Sequence, residues 1–271
     1  MQNVIKKIVS EHLQIKRGER IYLAGNSYAL NFLDLLLQEM LSKKAKVTSS
    51  FWTDTQLIAL LRNNSPKDVA KVWIPKITAN GTIDTFLHEQ LAVDKIVTHL
   101  SMPLGLSQDL LSKTNINVTN KDVVKLNKLK MSGMSNLLDL MHSPIKLGLL
   151  DYPSVSSVEK YNYNHESIVK EYNKAIMADG EKIRSINKKA YAFFKDRQKV
   201  QITCPRGTNI EFEIGNYKWN FENMNLKNNS MVQIPGGESY VSPNEKSGNG
   251  VLVTYLSIPA MSNTHSRHVE Q

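Results

Sequence analysis

The residues with the clearest capacity for chemistry lie between Gln233 and Gly250. They read Gln-Ile-Pro-Gly-Gly-Glu-Ser-Tyr-Val-Ser-Pro, then Asn-Glu-Lys-Ser-Gly-Asn-Gly. Glu238 follows Pro235-Gly236-Gly237 directly. Glycine reaches backbone conformations closed to other residues and lets neighbouring groups approach closely. A carboxylate carried on such a bend can be aimed at a metal ion. The plain alternative is a hairpin turn with an exposed glutamate, and Pro-Gly-Gly-Glu alone does not separate the two. Upstream, Thr203-Cys-Pro-Arg-Gly-Thr-Asn-Ile-Glu-Phe-Glu-Ile-Gly reads as strand, turn and strand.

Order and spacing over a longer stretch carry more information. Gly207-Thr208-Asn209-Ile210 is followed by Pro235-Gly236-Gly237-Glu238-Ser239-Tyr240-Val241-Ser242-Pro243 and then Ser247-Gly248-Asn249-Gly250. This succession resembles the aminopeptidase T (PepS-type) family of two-metal aminopeptidases. Near the N-terminus, Ile15, Lys16 and Gly18-Glu19 before an apolar strand resemble the start of the same family. The resemblance implies a non-nucleotide α/β domain and assigns Glu238 as a metal ligand. The family's other ligands are a second Glu, a His in a Gly-Thr-Ile-His-like strand and a late His-x-Asp pair. They have no match here, because the sequence stops about twenty residues after Gly250. The resemblance covers nearly all of this chain and about the first two-thirds of a family member, so the chain reads as truncated before most metal ligands.

A two-metal peptidase holds its cations about 3.5–4 Å apart, polarising the carbonyl with one and activating a shared water between them. Each ion needs several ligands and groups behind them to orient them. Glu238 alone cannot supply that. The expected function is therefore a catalytically inactive aminopeptidase-like protein, a peptide-binding or scaffolding module in which Gly237, Glu238 and Tyr240 contact a peptide's amino terminus. No cofactor is expected on this reading. The alternative is a divalent-metal-dependent aminopeptidase releasing N-terminal residues, which would need two cations (zinc, cobalt or manganese) with Glu238 among their ligands. A peptide or protein partner is expected in either case, and family members are homodimers, so a homodimer is one assembly the resemblance implies. Serine or cysteine catalysis has no support: there is no Gly-x-Ser-x-Gly elbow, and Cys204 has no evident base.

Composition narrows the remaining classes. Of the 271 residues, 41 % are hydrophobic and 22 % charged, values that suit a folded globular chain. No apolar run approaches the roughly 18 residues of a membrane span. The start, Met1-Gln-Asn-Val-Ile-Lys-Lys, lacks a signal peptide's apolar core. A single cysteine excludes an intrachain disulfide, and a cytoplasmic location is expected. Cys204 alternates with apolar neighbours and reads as buried filler. The net charge of +9 comes from lysines spread along the chain, with no motif for nucleic acid. His12, His88, His99, His142 and His165 are scattered, and His265, His268 and Glu270 read as a solvated tail rather than ligands.

The elements that would position the site follow from periodicity. Apolar spacing predicts helices over 3–13, 28–43 with Ser27 as N-cap, 55–62, 66–74 after Ser65-Pro66, and 121–141, where Gly133 threatens a break. Strands are expected at 20–24, 47–51, 95–100 and 145–150. Gly25-Asn-Ser27 has no second or third glycine and is no dinucleotide fingerprint. The alternation gives an open, largely parallel α/β sheet domain over 1–195, ending in one long bridging helix from 165 to 194. A small mostly-β domain is expected over 196–271, with strands at 200–204, 209–214, 217–221 and 251–258.

Overall fold

The computed structural model describes residues 1–99, 119–153, 158, 163–221, 225–227, 230–253 and 269–270. His265, His268 and the expected strand beyond 253 lie outside these residues. In chain order the elements are α1 (Gln2–Lys7), continued by a π-helical turn at Ile8–His12, β1 (Arg20–Asn26), α2 (Leu30–Ser42), β2 (Lys46–Trp52), α3 (Asp54–Asn63) and α4 (Pro66–Trp73). Three two-residue strands follow, β3 (Lys76–Ile77), β4 (Ile83–Asp84) and β5 (Gln90–Leu91), then β6 (Lys95–His99), α5 (Asn120–Met141), β7 (Lys146–Leu150), α6 (His165–Ile176) and α7 (Gly180–Phe194). The remaining strands are β8 (Lys199–Thr203), β9 (Asn209–Glu213), β10 (Asn220–Phe221), β11 (Met231–Ile234), β12 (Ser239–Tyr240), β13 (Asn249–Leu252) and β14 (Val269–Glu270).

Two compact units result, Met1–Ala178 with Met224–Gly236, and Asp179–Asn223 with Gly237–Gln271. The first is built on a five-stranded sheet in the order β11-β7-β6-β1-β2, with every neighbouring pair parallel. Its inner strands are covered on both faces, which is why β6 is buried throughout and β1 from Ile21 onward, while the edge strand β2 is buried only at Trp52. Alternation along β1 sends Tyr22 and Ala24 into a core with Trp52, Leu57, Trp73 and Leu129 from β2 and helices α3, α4 and α5. Ile21 and Leu23 enter a second core with Ile8, Leu33, Leu36 and Tyr172 from helices α1, α2 and α6. The expected open α/β architecture is therefore present, with helices layered on both faces of a parallel sheet.

Local chemistry explains several boundaries. The Ser65 hydroxyl accepts from the Asp68 amide, with Pro66 at the first helical position, as expected. Ahead of α2, Asn26 rather than Ser27 is the capping residue: its Oδ1 accepts from the Tyr28 amide and caps a 3-10 turn at Ser27–Ala29 that leads into the helix. The α5 helix opens with a reciprocal capping box between Thr119 and Asp122. Arg62 locks that carboxylate through two hydrogen bonds, of 3.2 and 2.9 Å, and holds its pKa well below the usual carboxylate range. Gly133 does not break α5. It faces Trp73, and a Cβ there would lie 2.3 Å from the Trp73 ring, so the glycine serves close packing between α5 and α4.

Two expectations are corrected. The stretch 165–194 is two helices rather than one, because Asp179 caps a new start by accepting from the Glu181 amide. The units accordingly divide between Ala178 and Asp179, not near 195. The chain also returns to the first unit, where β11 becomes the fifth parallel strand beside β7. A four-residue strand so far along the sequence carries no local sign that it belongs to the first sheet.

Candidate functional site

The carboxylate-bearing bend begins where β11 ends. The Ile234 carbonyl accepts from the Asp151 amide at 2.9 Å and from the Tyr172 hydroxyl at 3.3 Å, which fixes the point of departure. The chain passes to the second unit between Gly236 and Gly237. Gly237 has φ of +110°, a conformation that any Cβ would strain. Glu238 follows with an exposed side chain. Ser239 and Tyr240 then form β12, paired antiparallel with Phe221 and Asn220 of β10. Tyr240 is 47 % exposed.

The second unit holds this strand through an aromatic group. Tyr191 of α7 meets the rings of Trp219 and Phe221 edge to face, at 5.7 and 5.4 Å, and Phe194 stacks on Trp219. These contacts anchor β10 and hence β12. Beyond it the loop is latched onto β9: Pro243 bridges Ile214, the Asn244 amide donates to the Glu213 carbonyl, and the Glu213 amide donates to the Ser247 hydroxyl. Within the second unit, Glu238 thus precedes, and Tyr240 lies on, a strand held by β10 and by the latched loop after it.

Two of the motifs that carried the resemblance, Gly207–Ile210 and Ser247–Gly250, meet in one antiparallel sheet, β14-β13-β9-β8, whereas the Pro235–Pro243 motif supplies β12 to the separate β10-β12 pair. Gly250 stands opposite Ile210, and Asn249 opposite Glu211. The Thr208 hydroxyl is tied to the backbone of Val253 in both directions, accepting from its amide and donating to its carbonyl. These motif residues build the scaffold of the unit, and Glu238 and Tyr240 of the remaining motif are exposed. Among the described residues no group of three or more His, Cys, Asp or Glu side chains is placed to hold a metal ion.

Cys204 is exposed, contrary to the expectation of buried filler. It follows the edge strand β8, whose residues are almost all exposed, so alternation there does not point into a core. A hydrogen bond with Thr208 lowers its thiol pKa.

A constellation not foreseen from the sequence lies at the carboxyl ends of the parallel strands. Strand β1 has β2 on one side and β6 on the other, so the order reverses there, the place where open α/β sheets seat ligands. Asn26 ends β1 and donates to Asp54 at 2.8 Å. His99 ends β6, fully buried, and its Nε2 donates to the Tyr152 carbonyl at 2.9 Å. A carbonyl only accepts, so Nδ1 of the neutral ring carries no proton, and it has no hydrogen-bond partner among the described residues. Tyr28 meets the imidazole edge to face, while Tyr152 stacks on Phe32 and meets Tyr172. The available signal was a histidine at the carboxyl end of an expected strand.

Burial drives the His99 pKa down to about 4, against a smaller opposing effect of the Tyr152 hydrogen bond. The sign follows from linkage. Between the ordinary value near 6.5 and about 4, the unfolded chain binds a proton that the folded chain refuses, so stability is lost as pH falls through that window. The effect is bounded at about 3 kcal/mol. We expect urea unfolding from pH 7 to pH 4 to show this acid loss, and His99→Gln to flatten it. An unchanged pH profile in the variant would remove His99 as its source.

Fold and site together define an α/β protein with an all-parallel sheet and an appended antiparallel unit that carries an exposed carboxylate on a glycine bend. No family model matches the chain, and no curated protein matches it. Among solved structures it is similar to wild-type AmpT from Thermus thermophilus, with a TM-score of 0.58 and 10 % identity over 93 % of this chain and 63 % of that one. A 2,5-dihydroxypyridine dioxygenase from Pseudomonas putida gives a TM-score of 0.47 and 12 % identity, over 93 % of this chain and 58 % of that one. The chain thus spans about three-fifths of the length of these structures, and the likeness to AmpT is one of fold. Among the described residues no helix is long and apolar enough to cross a membrane.

Proposed function

We propose that this chain is an aminopeptidase-like, cytoplasmic protein that binds peptides by their amino termini without hydrolysing them. The observation that carries the reading is the exposed Glu238 carboxylate, set after Gly237 at the start of β12, which pairs with β10 and carries the exposed Tyr240. The succession of motifs resembling the aminopeptidase T family and the fold likeness to AmpT support it. A carboxylate offers a charge-assisted hydrogen bond to a peptide's terminal ammonium, and the Tyr240 ring offers an apolar body with a polar tip for the first side chain. Because Glu238 is exposed, water screens this pair, and its contribution is about 1 kcal/mol.

The test is fluorescence anisotropy with a labelled peptide bearing a free N-terminal leucine. Binding should weaken about fivefold on N-acetylation of the peptide and by a similar factor on Glu238→Gln. Indifference to both changes would end the reading. A parallel assay with a leucyl reporter and added zinc, cobalt or manganese should show no turnover. Metal-dependent turnover lost in Glu238→Gln would make the chain a metalloaminopeptidase instead.

A further inference from the structure

The helix α5 has two apolar faces, and only one of them is used. Leu126, Leu129, Gly133, Leu137 and Leu140 are buried on the inner side. On the outer side Val124, Met131, Met134 and Leu138 are exposed by 53, 70, 39 and 51 %. Val124, Met131 and Leu138 recur at intervals of seven residues, and Met134 falls three after Met131, the a and d positions of a heptad seam. At 22 residues the helix is about 33 Å long, so this seam runs over most of its length. The d position between Val124 and Met131 is the exposed Asn127, so the stripe is four apolar residues interrupted by one amide. Single exposed apolar residues are ordinary, whereas four aligned on one helix face mark an interaction surface.

Charge indicates what fits it. At about 100° per residue, Lys121 and Lys128 lie along one border of the stripe, and both are exposed. Neither has an ion-pair partner among the described residues. Lys130 borders the opposite side, and the one carboxylate at the stripe's edge is Asp139, near its C-terminal end. Covering these lysines with an uncharged partner would strip their water without compensation, so the favoured partner presents carboxylates beside its apolar residues. The methionines add a pliable surface suited to an incoming helix.

We propose that the outer face of α5 is the docking site for an amphipathic helix of a partner protein, with leucine-type residues on the Val124–Leu138 seam and acidic residues against Lys121 and Lys128. This is the helix-in-groove mode of recognition. It stands independently of the peptide-binding reading for Glu238.

The experiment uses the full chain and a fluorescein-labelled synthetic helix of three heptads, with Leu at a and d and Glu at e and g. A second peptide carries Lys in place of Glu, and a third has the heptads scrambled. The acidic peptide should bind saturably and at least about tenfold tighter than the other two. Met131→Asp should abolish that preference by a similar factor while leaving the thermal melt unchanged, since Met131 touches solvent in the free chain. Lys121→Glu combined with Lys128→Glu should reverse it towards the Lys peptide. Equal binding of the acidic and basic peptides, or binding indifferent to Met131→Asp, would overturn the proposal. So would self-association of the chain in sedimentation, or binding to vesicles of phosphatidylserine, if either is lost in Met131→Asp. Those outcomes would give the face to a second copy or to a lipid surface.

Discussion

Trp73→Ala should lower the stability of the first unit by about 3–5 kcal/mol, seen as a shift in the urea midpoint at unchanged slope. Trp73 is 2 % exposed and fills the space between α4 and α5. Its ring lies so close to Gly133 that the missing Cβ would sit 2.3 Å from Cζ3 and 2.5 Å from Cε3. Around it the Thr98 hydroxyl donates to the Trp73 carbonyl, and the Asn136 side chain donates to the neighbouring Ile74 carbonyl, so the backbone cannot easily collapse into the void. Gly133→Leu should also destabilise, although leucine is the better helix former by almost 1 kcal/mol, because the side chain and the ring compete for one volume. The two changes together should cost less than their sum, since leucine then occupies part of the space the indole leaves. Strict additivity in that double-mutant cycle would mean that Gly133 is not there for Trp73.

Gly250→Ala should disorder the sheet of the second unit, at a cost of about 3 kcal/mol or more. Two effects act at one atom. Gly250 has φ of +122°, which side-chain-bearing residues rarely adopt, and an added Cβ would lie 2.1 Å from the Asn209 carbonyl oxygen. That oxygen belongs to the facing strand, so relief requires β13 to separate from β9. Hydrogen exchange should show faster exchange across Asn209–Glu213 and no change across Arg20–Asn26 in the first unit. Native protection of β9 in the variant would show that the strand pair tolerates the intrusion. If the sheet loosens, binding through Glu238 should weaken as well, because the loop before Gly250 is latched to Glu213.

The legible and illegible parts of this chain separate by distance along the sequence. Strands β1, β2, β6 and β7, and the helix over 120–141, were readable because each shows its periodicity within its own residues. Ser65-Pro66 was readable for the same reason: a cap acts on an amide three residues away. Gly133 misled as a helix breaker, since its justification is a ring sixty residues earlier. The turn at Ala178 and Asp179 leaves little trace in the sequence, because polar helices on either side continue much the same texture. Alternation does not locate Cys204, because it reports a buried face only where a layer covers the strand, and β8 is an edge strand with little cover.

By itself the sequence determined the α/β class, the strand–helix alternation of the first unit and the glycine bend that carries Glu238. These depend on hydrophobic period, capping and turn chemistry, all of which act over a few residues. Tertiary structure decided that β11 joins the parallel sheet, that Gly207–Ile210 and Ser247–Gly250 meet in one strand pair, and that His99 is buried with one ring nitrogen unpartnered among the described residues. It also decided which apolar face of α5 is covered. Hydrophobic period marks the two faces of that helix alike, and only packing against the core formed with α3, α4 and the sheet buries one of them and leaves the other to solvent.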